Sequence, residues 1–294
     1  MTNEAIPEAS DPDEVRHLKR AIEVVSRDPA FDRMKQAVNL LGEGLGLAPR
    51  PPWSSVFPND LSALACLSRA YRQLRAAAAL LMWGYYGEVR MVLRGVYESA
   101  ALARMLAKEP MLAEKWLRKR QWFPDRDVRQ WMADTWTNSV MAPEDAGKLY
   151  ARGYRQMSAW AHPTAISCLS LVKREEFGPR IQLITVFDDD EFRACTAEIA
   201  ADAIFGCFAL RNAAVDEKAI DPGWRRRLAE LASEIWGHDS PHLERDWENE
   251  EREYRALQER VQAGSELDSH LREHPRSWKN LKSPKSAHEQ GSPT

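Results

Sequence analysis

Four cysteines are all that this 294-residue chain has, and Cys66, Cys168, Cys195 and Cys207 form no CxxC pair and no His/Cys cluster. That spacing argues against a structural zinc site and against a disulfide framework. Reduced, partly buried thiols in a cytoplasm are the simplest reading. Long apolar runs are missing too. The most apolar stretch, Ala76 to Gly87, is too short to span a bilayer and meets Glu88 and Arg90. The N-terminus, Met-Thr-Asn-Glu-Ala-Ile-Pro-Glu, is acidic without an apolar segment, so no signal peptide is expected. No Walker loop, GxGxxG or GxSxG elbow occurs, which removes the usual phosphate-cradling loops and the hydrolase triad. Excess positive charge is absent as well. With 41 basic and 44 acidic residues the formal charge is -3, which excludes a wholly basic nucleic-acid coat but leaves room for a local basic patch. No metal and no cofactor are expected.

What remains is 44% hydrophobic and 29% charged, the balance of a soluble globular protein long enough for a sizeable core. Helical spacing dominates it. Val15, Leu18, Ile22 and Val25 mark a first helix that ends near Asp28-Pro29. A second, from Phe31 through Leu41, is expected to end in Gly42-Glu-Gly-Leu-Gly46. Residues 1–58 thus read as N-terminal helices followed by a Pro-rich linker at 49–58. Asn59-Asp60 should cap the region Leu61 to Lys108. Unbroken, that helix would run about 70 Å, so a break at Gly84-Tyr-Tyr-Gly87 should fold it into an antiparallel pair. Further helices are expected from Glu109-Pro110, over 125–140 and from Pro143. Ile166–Val172 and Arg180–Phe187, separated by Lys173–Pro179, read as a small β-hairpin or folded arm within 166–187. Asp188-Asp-Asp190 should cap an Ala-rich buried helix to Val215, and Asp221-Pro-Gly a helix to Trp236. Leu243–Val261 has the i,i+4 charges of a solvated helix. Residues 59–262 form the bundle, and 263–294 read as a disordered tail. The fold class is therefore all-α, with a hairpin insertion.

The stretch Tyr150-Ala-Arg-Gly-Tyr-Arg-Gln-Met-Ser-Ala-Trp-Ala-His-Pro-Thr164 carries chemistry. Seven helical steps turn the chain by about 700°, so Arg155 and His162 share a ridge roughly 10 Å apart along the axis, with Ser158 between them. Pro163 disfavours helix at His162, which places the imidazole at a helix end, where the helix dipole favours its cationic form. A fixed cation beside a titratable imidazole suits phosphate chemistry. The plainer reading is a histidine capping carbonyls and an arginine paired with a carboxylate such as Glu98.

Tyr86-Gly-Glu-Val-Arg-Met-Val-Leu-Arg-Gly-Val-Tyr-Glu98 followed by Ser158-Ala-Trp-Ala-His-Pro163 resembles uncharacterised bacterial helical proteins related to the HEPN superfamily. The likeness covers roughly residues 60–215. It implies a helical bundle and an Arg–x(4–6)–His motif, matched here by Arg155 and His162. In catalytic members that pair is a metal-independent ribonuclease site completed across a dimer, and many are toxins or abortive-infection effectors. Gln156 departs from the Asn, Asp or His that often follows the motif arginine. The resemblance thus implies a cytoplasmic, homodimeric endoribonuclease of a toxin–antitoxin or phage-defence type, acting on RNA and partnered by a cognate antitoxin or defence protein. The alternative is a non-catalytic HEPN-like module for protein or nucleotide binding.

Supporting roles fall to Ser158, Gln156, Arg94 and Glu98. The last two are i,i+4 on one helix, either as a simple ion pair or as a brace for Arg155. Lys115-Trp-Leu-Arg-Lys-Arg-Gln-Trp-Phe123 interleaves cations and aromatics, which makes Lys115, Arg118, Lys119, Arg120 and Trp122 candidates for RNA contact. The alternative there is Trp116 facing the core while the cations reach into water. His238 and His242 lack a third ligand, so no metal is expected at them.

Overall fold

The computed structural model describes residues 12–47, 58–119, 126–128, 155, 157–162, 172–175, 178–181, 187–213, 220–237 and 244–262. These are overwhelmingly helical. The helices are α1 (Pro12–Val25), α2 (Pro29–Leu47), α3 (Pro58–Met82), α4 (Tyr86–Lys108), α5 (Pro110–Arg118), α6 (Asp189–Ala213), α7 (Pro222–Trp236) and α8 (Trp247–Gln262). Residues 126–128, 155 and 157–161 are helical as well. The remainder of the helices expected over 125–140 and from 143, most of the Pro-rich segment, and the tail from 263 lie outside the described residues. No described helix is long and apolar enough to cross a membrane.

Local chemistry sets most helix ends. Asp28 accepts the Ala30 amide at 2.8 Å at the start of α2. Asp188 takes the Asp190 and Glu191 amides, each at 3.1 Å, at the start of α6. Asp221 takes that of Trp224 at 2.7 Å in front of Pro222. Each side chain satisfies an amide that the first helical turn leaves orphaned. The break between α3 and α4 is a Schellman turn. Gly84 has φ +76°, its amide donates to Leu81, and the Tyr85 amide donates to Leu80, both at 3.0 Å. Only glycine adopts that φ without penalty, and the His17 imidazole sits where a Cβ would go. Gly84→Ala should therefore lose about 1–2 kcal/mol to the backbone and more to displacement of His17. The check is a lowered urea midpoint with an unchanged m-value.

Two local expectations are overturned by packing. α2 does not end in the Gly42–Gly46 run but continues to Leu47. Two of its three glycines are close-approach positions: a Cβ on Gly42 would come 2.8 Å from Tyr71, and one on Gly44 would come 2.5 Å from Leu210 and 2.9 Å from Trp224. The helix keeps going because burial against three neighbours outweighs glycine's cost of about 1 kcal/mol each. Asn59 is not a cap either. It lies inside α3, fully buried, and its amide donates at 2.9 Å to the Ala107 carbonyl, one of the acceptors left over at the end of α4.

α3 and α4 pack along their whole length, and α6 lies against α2, α3 and α4. Contacts between Asn59 and Ala107 and between Gln73 and Ser99 show that α3 and α4 are antiparallel. α4 and α6 run parallel. Tyr86 pairs with Asp188, Arg90 with Glu198, and Tyr97 stacks on Phe205 at 4.9 Å between ring centroids. The core is continuous, built from the inward faces of these four helices and closed by Trp224 of α7, whose Nε1–H donates to the Leu40 carbonyl at 2.8 Å. α8 is mostly exposed and is tied down where Glu250 meets the buried Arg225 at 2.5 Å. Among the described residues the only strands are β1 (Val172–Glu175) and β2 (Gly178–Ile181), antiparallel with Val172 opposite Ile181 and Glu175 opposite Gly178. Pairing thus falls largely on Lys173–Pro179, the segment read as the connection. Alternating polarity reports faces, not register.

Candidate functional site

α4 carries Arg90, Arg94 and Glu98 at successive i,i+4 steps, hence on one ridge. The segment 157–162 lies across that ridge. Met157 packs against the core, Trp160 lies under the Arg90 guanidinium at 4.5 Å, and His162 meets Arg94. The histidine is exposed at the end of the stretch, with its amide bonded to the Ser158 carbonyl at 3.1 Å.

Arg94 is the centre of the arrangement. Its Nε donates to Glu98 at 2.9 Å, and its Nη1 lies 3.0 Å from Nε2 of His162. A guanidinium can only donate, so Nε2 must accept. The contact therefore exists only with Nε2 unprotonated and the ring proton on Nδ1. Glu98 holds Arg94 in place, since both side chains are about one-fifth exposed.

Arg90 fixes the geometry beneath. It is 9% exposed, its Nε faces both Glu198 oxygens at 3.1 and 3.2 Å, and its Nη1 reaches Glu191 at 2.7 Å. Burial opposes its charge, but the adjoining carboxylates more than restore it. Burial pushes the Glu198 carboxyl up, against the pull of Arg90. Asp202 follows one turn later on α6. By the parallel register it stands at the level of Arg94, between the Arg90–Glu198 and Tyr97–Phe205 contacts. Burial, aided by Glu198, raises its carboxyl to about 8. A carboxyl raised in the folded state costs stability as the unfolded chain ionises from about pH 4 upward, until the folded group also ionises near pH 8. Asp202→Asn should accordingly raise the melting temperature by a margin that grows across that window and then levels off. A series of thermal melts from acid to alkaline pH reads it directly.

The sequence candidates divide clearly. Arg94, Glu98 and His162 are brought together. Ser158 lies one turn before His162 with its hydroxyl buried and without a hydrogen bond among the described residues. Arg155 is helical and exposed. Lys115, Arg118 and Lys119 are exposed at the end of α5, Arg118 pairs with Glu114, and Trp116 packs on the core, which is the plainer reading of that segment. Fourteen helical steps separate Arg94 from Lys108, so α4 ends, and α5 begins, roughly 20 Å from Arg94 along the axis. Gln156, Arg120 and Trp122 lie outside the described residues, as do Tyr150, Tyr154, His238 and His242. Reading the sequence missed Arg90, Trp160, Glu191 and Glu198. The i,i+4 series from Arg90 to Glu98 was a usable signal for the first of them. No group of three metal-ligating side chains occurs among the described residues. Compared with protein-family models, curated proteins and solved structures, the chain matches none.

Proposed function

We propose that this chain is a HEPN-like, metal-independent endoribonuclease, working as a cytoplasmic homodimer in a toxin–antitoxin or phage-defence system. The observation that carries the reading is the Arg94–His162 contact: an exposed imidazole with its Nε2 lone pair directed at a fixed cation. A phosphate drawn to the guanidinium displaces that contact and leaves Nε2 beside the scissile group. Nε2 then takes the proton of the ribose 2′-hydroxyl as its oxygen attacks phosphorus. The bond from phosphorus to the 5′-oxygen breaks, and that oxygen takes a proton from an acid. Arg94 and Arg155 supply the positive charge for the pentacoordinate phosphorane. Among the described residues one histidine is placed this way, so a two-fold dimer that apposes two ridges provides the acid from its second His162.

The products of this route are a 2′,3′-cyclic phosphate and a 5′-hydroxyl. The test is RNA cleavage in EDTA, with end-group analysis of the fragments. Cyclic ends whose formation is lost in a folded His162→Ala protein support the enzyme. If Nε2 serves only to anchor 157–162 to α4, the protein is a non-catalytic HEPN-like module, and parent and variant are equally inert.

A further inference from the structure

α3 differs from the other arginine-bearing helices in having no acidic residue after Asp60. Elsewhere exposed arginines have carboxylates one turn away, as in Arg20–Glu23, Arg226–Glu230 and Arg255–Glu251. Arg69, Arg72 and Arg75 are exposed and have no ion pair among the described residues. At about 100° per residue they fall, with Ala65, Ser68 and Ala76, within an arc of roughly 120°. The small residues form a floor between the arginines. The result is an open cleft of about 420 Å³ lined by Ala65, Ser68, Arg69, Arg72, Gln73 and Ala76. Three cations thus lie over about 9 Å of helix without a carboxylate paired to them among the described residues.

The cleft adjoins the site already described. Gln73, on its wall, accepts from the Ser99 hydroxyl at 3.4 Å and packs directly on Gly95. Gly95 and Ser99 are the immediate neighbours of Arg94 and Glu98 on α4. A chain lying along α3 therefore needs to cross only one helix seam, some 8–10 Å, to reach His162. A second arginine-rich cleft, with Arg20, Arg27, Arg33 and Arg193, is interleaved with Glu23, Asp28 and Asp189. Its charge is largely offset where it stands.

We propose that the outward face of α3 is a phosphate-backbone groove, with Arg69, Arg72 and Arg75 as its contacts, that leads single-stranded RNA across the Gln73 seam to His162. That the polyanion is RNA rests on the ribonuclease reading. Unpaired guanidinium groups bind phosphodiesters through released counterions, without sequence preference. The groove gives affinity, and the Arg94–His162 site gives chemistry.

The test measures binding apart from cleavage. The full-length His162→Ala protein is titrated into a fluorescein-labelled oligouridylate, read by anisotropy over a range of KCl concentrations. Adding Arg69→Gln, Arg72→Gln and Arg75→Gln should weaken binding at least about tenfold and flatten the log–log salt slope by about 2, since each phosphate contact on a single strand contributes about 0.7. These are exposed positions, and glutamine keeps the helix propensity of arginine, so folding is preserved. The control carries Arg27→Gln, Arg33→Gln and Arg193→Gln and should bind as the parent does. Equal weakening by both triples overturns the groove, as does unchanged binding in the α3 triple or no binding by the parent. The two readings come apart in the same set of proteins. RNA cleavage with an irrelevant α3 face removes the groove alone, whereas α3-dependent binding in a protein that never cleaves RNA keeps the groove and removes the ribonuclease.

Discussion

His162→Ala is expected to slow RNA cleavage by at least about 100-fold, the lower end of what a positioned acid or base contributes, with little change in stability. The imidazole is exposed, so its removal opens no cavity, and it leaves one donor of Arg94 facing solvent. Arg94→Gln separates orientation from charge. A glutamine amide can still donate toward Nε2, but it brings no charge to a phosphorane and releases Glu98. The expected result is a large fall in kcat with a modest rise in KM, because the charge matters most when the transition state forms. Steady-state rates on a short RNA substrate in EDTA, with circular dichroism to verify folding, decide both. If His162→Ala cleaves as fast as the parent, the assignment of the base is wrong.

The largest structural effect should come from Arg90→Met. This removes the partner of two carboxylates and the cation over Trp160 in a single change. Breaking a fully buried pair costs about 3–5 kcal/mol. Here Glu191 and Glu198 are 44% and 43% exposed and can rehydrate, so the expected loss is about 2–4 kcal/mol. Arg90→Lys keeps the charge but not the fork that faces both Glu198 oxygens, and should recover only part of the loss. Urea unfolding of the three proteins gives the order parent, lysine, methionine. The same substitutions should reduce cleavage beyond what unfolding explains, because Trp160 no longer seats the segment that carries His162. A methionine variant as stable as the parent would mean that Arg90 is not the anchor of that segment.

How far the site could be read in advance depended on the range of the interaction. The Arg94–Glu98 pair follows from a four-residue spacing, and the place of His162 at a helix end follows from Pro163. Neither tells that Arg94 turns to His162, because the two are 68 residues apart and meet only when the 157–162 segment is laid on α4. Arg90 is a sharper case. In the sequence it looks like a charge that ends an apolar run, yet it is buried, since Glu191 and Glu198, about a hundred residues later, come to it on α6. The arginines of α3 were visible as residues, but that no described carboxylate pairs with them is a property of a folded surface.

Where most helices begin and turn is legible in a few residues of local sequence. Asp28-Pro29, Gly84, Asp188, Asp221-Pro222 and Gly237 act through hydrogen bonds and backbone angles within a few residues, so local order suffices to read them. Long-range packing, by contrast, makes α2 run through its glycines, turns Asn59 to the end of α4, and joins Arg90, Arg94 and His162 in one assembly. Those outcomes depend on which faces become buried together. Burial against distant helices outweighs local preferences worth about 1 kcal/mol each.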